Sequence, residues 1–298
     1  MILNRAAGTA NGENAAADEE ICRLFSEAGV VAEIRHPTEE RSLSAIAGEA
    51  REGADEVVVA GGGDGTVSGV AAALAGSGKI LGVLPMGTLN HFAKDLGIPL
   101  DLPGAVAAIV NGETAGVDVG EVNGRVFINN SSLGIYPRIV AQRETQQEGL
   151  GMGKWPAFVW AMIQALRRFP FLRLRITFEG RQLDRKTAFL FVGNNEYEIS
   201  GFRLGGRACL NAGKLGLYLT HRTGRFGLFR LAFHALLGRL KQVEDFDAFC
   251  VEEALIETQR ARLLVATDGE VNWFKTPLQY RVRPGALRVR VPRPKNAG

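Results

Sequence analysis

The β-branched run Val57–Ala60 leads without a break into Gly61-Gly62-Gly63-Asp64-Gly65-Thr66, and a helical pattern follows over Val67–Ala75. A short buried strand that turns into a helix through three successive glycines is the start of a crossover unit. The same alternation recurs around it. Met1–Leu3, Val30–Ile34 and Ile80–Leu84 read as further strands, and Glu19–Ala28 and Ser44–Arg51 as helices closed by Gly29 and Gly53. Strands separated by helices in this way predict a mostly parallel sheet. The glycines have a second consequence, because they let backbone N–H groups approach an anion and the helix start adds partial positive charge. Asp64 beside a bare phosphate is unfavourable unless a divalent cation or a proton-transfer role compensates. A turn capped by Asp64 or Thr66 would explain the cap but not three glycines in a row.

Beyond about Val117 the pattern changes. Leu172, Leu174, Ile176 and Phe178 alternate with Arg173, Arg175 and Thr177, which predicts a half-buried strand. Thr187–Val192, Leu215–Thr220, Phe249–Glu257, Arg262–Thr267, Pro277–Arg283 and Leu287–Val291 read as more short strands. Many short strands broken by turn residues predict an antiparallel sandwich or barrel. The expected plan is an α/β nucleotide-binding domain over 1–118 and a β-sandwich-like domain over 119–298, with the extreme C-terminus free to return to the first. A chain of 298 residues is ample for two such cores. Apolar and charged fractions of 46% and 22% exclude disordered, collagenous and coiled-coil classes. Cys22, Cys209 and Cys250 are too few and too dispersed for a disulfide framework or a metal knuckle, so a reducing cytoplasm is expected. The opening MILNRAAGTA lacks the apolar core of a secretory signal, and no run reaches the ~20 apolar residues of a bilayer span.

Familiar phosphate loops do not fit the glycine run. There is no G-x-x-x-x-G-K-[ST], the G-x-G-x-x-G spacing fails at Thr66, and no H-R-D or D-F-G is present. One crossover unit later, Pro85-Met86-Gly87-Thr88-Leu89-Asn90 ends the Ile80–Leu84 strand at the same sheet edge, where open α/β sheets bind ligands. Gly87 permits close approach there, and Thr88 and Asn90 supply donors. A third element, Asp268-Gly269-Glu270, lies between the apolar runs Val265-Ala266 and Val271–Phe274. By itself it reads as a two-residue hairpin turn.

GGGDGT followed by PMGTLN and Phe92-Ala93 resembles the catalytic domain of diacylglycerol kinases, in the bacterial lipid-kinase branch related to sphingosine kinases. The resemblance runs over nearly the whole chain, with Asn4–Gly8 similar to the family's first-strand N-P-x-S-G, although Arg5 and Ala7 replace its Pro and Ser, and Thr38 where a nucleotide-contacting threonine often stands. It implies ATP and Mg2+ as cofactors. The amides of Gly63, Gly65 and Thr66 would cradle phosphate, with Asp64 on metal and Asn4, Thr38, Gly61, Gly62, Gly87, Thr88 and Asn90 completing the nucleotide site. It also implies that D-G-E points into an interdomain cleft, Glu270 accepting a proton with Asp268 as acidic neighbour. Which of Asp64, Asp268 and Glu270 is the base stays open, since neighbouring carboxylates near a metal titrate together. The chain departs from the family at His91, where N-D-F-A has an acid, and at Ala212, where a structural-metal loop ends in Asp-Gly.

Two segments, Lys154–Arg175 and Arg222–Lys241, each carry five basic residues and no acid, although the whole chain is only +3. Both are rich in aromatics at helical spacing. They read as amphipathic helices on the sandwich or as anionic-membrane contacts. The expectation is a cytoplasmic, peripherally membrane-associated lipid kinase acting on diacylglycerol. Nucleic acid is not an expected partner, because the helices lack a base-reading polar set. No motif specifies oligomeric state, and a homodimer is one open arrangement. Two rivals are a kinase of another acceptor, soluble or lipid, and a non-catalytic nucleotide-binding protein that docks on membranes.

Overall fold

In a computed structural model the described residues are 1–4, 11–134, 171–200, 203–207, 210–220 and 246–293. The first part gives β1 (Ile2–Leu3), α1 (Asn11–Glu27), α2 (Leu43–Glu52), β2 (Val57–Gly62), α3 (Asp64–Leu74), β3 (Ile80–Pro85), α4 (His91–Asp95) and α5 (Leu102–Asn111). Then come β4 (Glu113–Val122), β5 (Arg125–Phe127), β6 (Asn130–Gly134), β7 (Leu172–Phe178), β8 (Arg181–Thr187) and β9 (Phe189–Asn194). The chain continues through β10 (Tyr197–Ser200), β11 (Arg203–Arg207), β12 (Leu215–Thr220), β13 (Phe246–Val251) and β14 (Glu253–Thr258). It ends with β15 (Arg262–Thr267), β16 (Glu270–Lys275) and β17 (Leu278–Val291). The basic segments 154–170 and 222–241 lie outside the described residues.

β1, β2 and β3 are parallel neighbours, as the alternation of strands and helices requires. β3 is buried throughout and β2 nearly so, the mark of strands covered on both faces. α2 starts at Ser42, whose Oγ accepts the N–H of Ala45, and α5 starts at Asp101, whose carboxylate accepts the N–H of Gly104. Val67, Val70, Ala71 and Leu74 of α3 join Val58, Ala60, Leu81 and Val83 in the first core.

Val30–Ile34, expected as a strand, is not one. Only Arg35 bridges Ile2, and Val31 is fully exposed. The two-residue β1 offers too short an edge for β-branched residues to pair along. Phe249–Glu257 divides into β13 and β14, which belong to different sheets. Pro277–Arg283 and Leu287–Val291, expected as two strands, form the single strand β17, interrupted between Arg283 and Leu287 by a bulge around Gly285 (φ +59°).

β17 joins the two parts of the fold. Its first half pairs antiparallel with β14, and its second half pairs parallel with β3 through Arg288–Ile80 and Val289–Leu81. β4 runs beside it along nearly its whole length. Accordingly Leu287 and Val289 sit in the first core, while Leu278 and Tyr280 sit in the second. That second core is a sandwich. The β17–β14–β7–β8 end of one sheet faces the sheet β13–β12–β9–β6–β15–β16. Leu174, Ile176 and Ile256 meet Leu190, Val192, Leu217 and Val265 between them. At its centre the buried Tyr280 hydroxyl bonds Ser131 Oγ at 2.9 Å.

Candidate active site

β2 ends in Gly61 and Gly62, Gly63 is the N-cap, and α3 begins at Asp64. Gly62 has φ +153°, and a Cβ there would lie 2.8 Å from both Asn4 O and Thr66 Oγ1, so only glycine fits. Gly65, second in the helix, has no intrahelical acceptor for its N–H, and a Cβ added there would meet nothing within 4 Å. Thr66 differs. Its N–H donates to Gly63 O at 3.0 Å and the residue is buried, so this amide is turned into the helix and away from any ligand.

The second loop is locked against the first. A Cβ on Gly87 would stand 2.6 Å from Gly63 Cα. Asp64 accepts the N–H of His91 at 2.8 Å and that of Asn90 at 3.1 Å, so this carboxylate caps α4 from the other loop. Asn90 takes a left-handed conformation, φ +50°. Its Oδ1 accepts the Gly87 N–H at 2.9 Å and its Nδ2 donates to Gly87 O at 2.8 Å. The Asn90 side chain therefore closes its own loop and leaves the exposed Thr88 at the tip. Asn4 lies exposed at the end of β1, its N–H on Gly61 O at 2.9 Å. Thr38 makes a turn with Arg41, whose N–H donates to Thr38 Oγ1 at 3.1 Å.

Asp268 and Gly269 are indeed a hairpin turn, both with positive φ (+48° and +88°), the geometry of a two-residue type I′ connection between β15 and β16. The turn also meets α3. Gly65 and Ser68 of α3, Ser42 before α2, and Arg125, Asp268 and Glu270 line one cleft of about 620 Å³. The two acids of the turn have opposite surroundings. Asp268 accepts three backbone N–H groups, from Ile128 at 2.8 Å, Asn129 at 2.8 Å and Asn130 at 3.0 Å. Burial pushes its carboxyl up, and those three amides oppose the shift. Glu270 is exposed and, among the described residues, its one ion pair is with Arg125. Of the three candidate carboxylates, Glu270 alone accepts no backbone amide among the described residues. Arg125 escaped the sequence reading, yet a signal for it exists. It follows Asn123-Gly124, the strongest short hairpin signal, and that turn carries φ of +46° and +86°. Thr267, whose buried Oγ1 lacks a partner among the described residues, also borders the cleft.

The structural-metal loop of the resemblance does not fit a cation here. Asp118, 2% exposed, accepts the N–H of Gly213 at 2.7 Å and of Gly285 at 2.9 Å. Both oxygens already face amide donors, and Ala212 supplies no carboxylate. Asp118 instead ties the 210–214 loop and the β17 bulge to β4. Among the described residues no group of three His, Cys, Asp or Glu could hold a metal, and no helix is long and apolar enough to cross a membrane.

Comparison with known proteins agrees with this architecture. Residues 1–122 match the family of the diacylglycerol kinase catalytic domain, and residues 139–291 match that of the YegS C-terminal NAD kinase beta sandwich-like domain. A protein of Klebsiella pneumoniae (strain 342) named as a probable lipid kinase, YegS-like, is 32% identical over 98% of this chain and 95% of its own length. An uncharacterized protein of Synechocystis sp. is 28% identical over 80% of the chain, which spans 55% of that relative. Among solved structures, a diacylglycerol kinase of Bacillus anthracis str. Sterne shares the fold at a TM-score of 0.67 and 22% identity, over 97% of this chain and 95% of that one. Yeast NADH kinase complexed with NADH does so at 0.54 and 10%, over 99% and 83%. The chain thus belongs to the diacylglycerol kinase catalytic-domain family, in the branch that carries a YegS-type C-terminal domain.

Proposed function

We propose that this protein is an ATP-dependent lipid kinase that transfers the γ-phosphoryl group of MgATP to a lipid hydroxyl, with diacylglycerol as acceptor and phosphatidic acid as product. The observation that carries the reading is the cleft in which the start of α3 faces Glu270. Residues 1–118 hold the nucleotide and 119–298 present the acceptor, the end of β17 returning to the first part. The Gly63 and Gly65 amides and the α3 N-terminus bind phosphate, with Thr88 at the rim and Asn4 and Thr38 flanking. Mg2+, when bound, neutralises charge on the phosphates. A single carboxylate plus phosphates is its usual protein environment, and Asp64 keeps lone pairs free beyond the two it gives to amides.

Glu270 is the base, because among the described residues no backbone amide holds its oxygens. It accepts the proton as the lipid oxygen bonds to the γ-phosphorus and the bond from that phosphorus to the bridging oxygen of ADP breaks. Arg125 positions Glu270 through their ion pair. Asp268 positions it too, by fixing the turn on which it stands. The enzyme works as a peripheral protein on the cytoplasmic face of an anionic membrane, where such an acceptor resides. The test is transfer of radiolabelled phosphate from ATP to lipids in mixed liposomes, beside Glu270→Ala. Labelled phosphatidic acid that disappears in the variant supports acceptor and base together. Label in another lipid changes the acceptor, and ATP turnover with no lipid label overturns the lipid reading.

A further inference from the structure

The β15–β16 hairpin is chemically different at its two ends. Asp268 and Glu270 sit at the turn, whereas at the open end Arg262 and Lys275 are direct cross-strand partners, and next to them Leu264 opposes Trp273. These four residues share one face. Leu263 and Val265, on the other face, enter the sandwich core, so the Trp273 face points outward. Trp273 is 66% exposed, and Arg262 and Lys275 are exposed with it. Arg260, in the turn before β15, adds a further exposed cation. Among the described residues neither Arg262 nor Lys275 has a carboxylate partner.

Like charges placed directly opposite each other destabilise a strand pair, so folding does not account for this arrangement. β16 ends its sheet, and a lysine on an edge strand discourages edge-to-edge pairing. That explains Lys275. It explains neither the arginine opposite nor a bare indole two residues away. Indoles settle at the membrane–water interface, and cations beside them find lipid phosphates. We propose that the outer face of the open end of the β15–β16 hairpin docks on an anionic bilayer, with Trp273 at headgroup depth and Arg262 and Lys275 on lipid phosphates. This deepens the lipid-acceptor reading and draws its purpose from it. At ~3.3 Å per residue along β16, Trp273 stands about 10 Å from Glu270 along the strand, with the two side chains on opposite faces of the hairpin.

The test uses the full chain with Trp155→Phe and Trp160→Phe, which leaves Trp273 as its one indole. Vesicles of phosphatidylcholine, with or without phosphatidylglycerol, carry brominated acyl chains. The expected result is salt-sensitive co-sedimentation with the anionic vesicles and quenching of Trp273 by them. Reversing both charges, Arg262→Glu with Lys275→Glu, should weaken that binding by about 25-fold or more, from about fivefold per cation. Trp273→Ala should weaken it as well, and melting curves report whether these variants fold. An unquenched Trp273 on bound vesicles overturns the proposal, as does equal binding to neutral vesicles. Concentration-dependent shielding of Trp273 without lipid overturns it in favour of a second copy of the chain. Intact docking and quenching without any lipid phosphorylation would refute the kinase reading and leave the surface standing.

Discussion

Replacing Asp268 by asparagine keeps the size and shape of the side chain and changes only what it can accept. Its carboxylate holds three amides, from Ile128, Asn129 and Asn130, on two oxygens. The asparagine oxygen can keep the two that share Oδ1, those of Asn129 and Asn130. Its NH2 group then faces the N–H of Ile128, a buried donor against a donor. An orphaned buried amide costs about 1–3 kcal/mol, and the two retained bonds lose their charge assistance, while removal of a buried charge offsets part of this. The net expectation is a loss of about 2–3 kcal/mol, or about 5–10 °C in melting temperature for a protein of this size. Among the described residues Glu270→Gln breaks only an exposed pair with Arg125, worth at most about 1 kcal/mol, and should shift melting by roughly 3 °C or less. Thermal melts alongside lipid phosphorylation separate the two acids. Asp268→Asn should lose stability and activity together, and Glu270→Gln activity alone. An Asp268→Asn protein that melts like the parent yet fails to phosphorylate would refute the division of roles drawn here.

Gly65→Ala should fold normally, since nothing lies within 4 Å of the new methyl group, yet bind ATP several-fold more weakly in calorimetry; unchanged binding would remove the phosphate cradle. Gly87→Ala drives a methyl onto Gly63 Cα and should weaken ATP binding together with stability. Arg125→Ala should leave the melting temperature within a few degrees, as expected of an exposed pair, while lowering kcat more than it raises the KM for ATP. A chelator should leave the melting temperature of the nucleotide-free protein unchanged, because the Asp118 carboxylate is satisfied by the Gly213 and Gly285 amides; a fall would show a resident cation. Burial raises the Asp268 carboxyl, so its contribution to stability is fully present below the unfolded value of about 3.9 and is lost as pH rises through the folded value. Denaturant titrations across that range should show a slope for the parent that Asp268→Asn lacks.

The glycine loop and its helix were legible because everything that shapes them is local. Val57–Ala60, three glycines and an acid at the helix start declare themselves within a dozen residues. The Asp268-Gly269 turn was legible in the same way. What local pattern does not carry is partnership across the chain. Val30 and Val31 have the composition of a strand and no edge long enough to pair with. Pro277–Arg283 and Leu287–Val291 read as two strands because Pro284-Gly285 looks like a break, whereas β4 on one side keeps them in one ladder. Arg125 meets Glu270 only after the hairpin at Asn123-Gly124 has folded back on β16. Asn90 looked like a ligand donor, whereas the left-handed backbone at Asn90 turns both ends of its amide onto Gly87, a conformation residue type alone does not declare.

The placement of β17 bears on how the polypeptide can be made. β3, whose partner on one side is β2, has β17 on the other. During synthesis that flank stays bare while the intervening chain emerges, including every other strand of the sandwich. The nascent glycine-loop half therefore presents an unpaired, apolar strand edge to the cell until residues 278–291 have emerged, a state in which chaperone binding would be favoured. Closure of both cores then falls to a single late event, the threading of residues 278–291 between β3, β4 and β14.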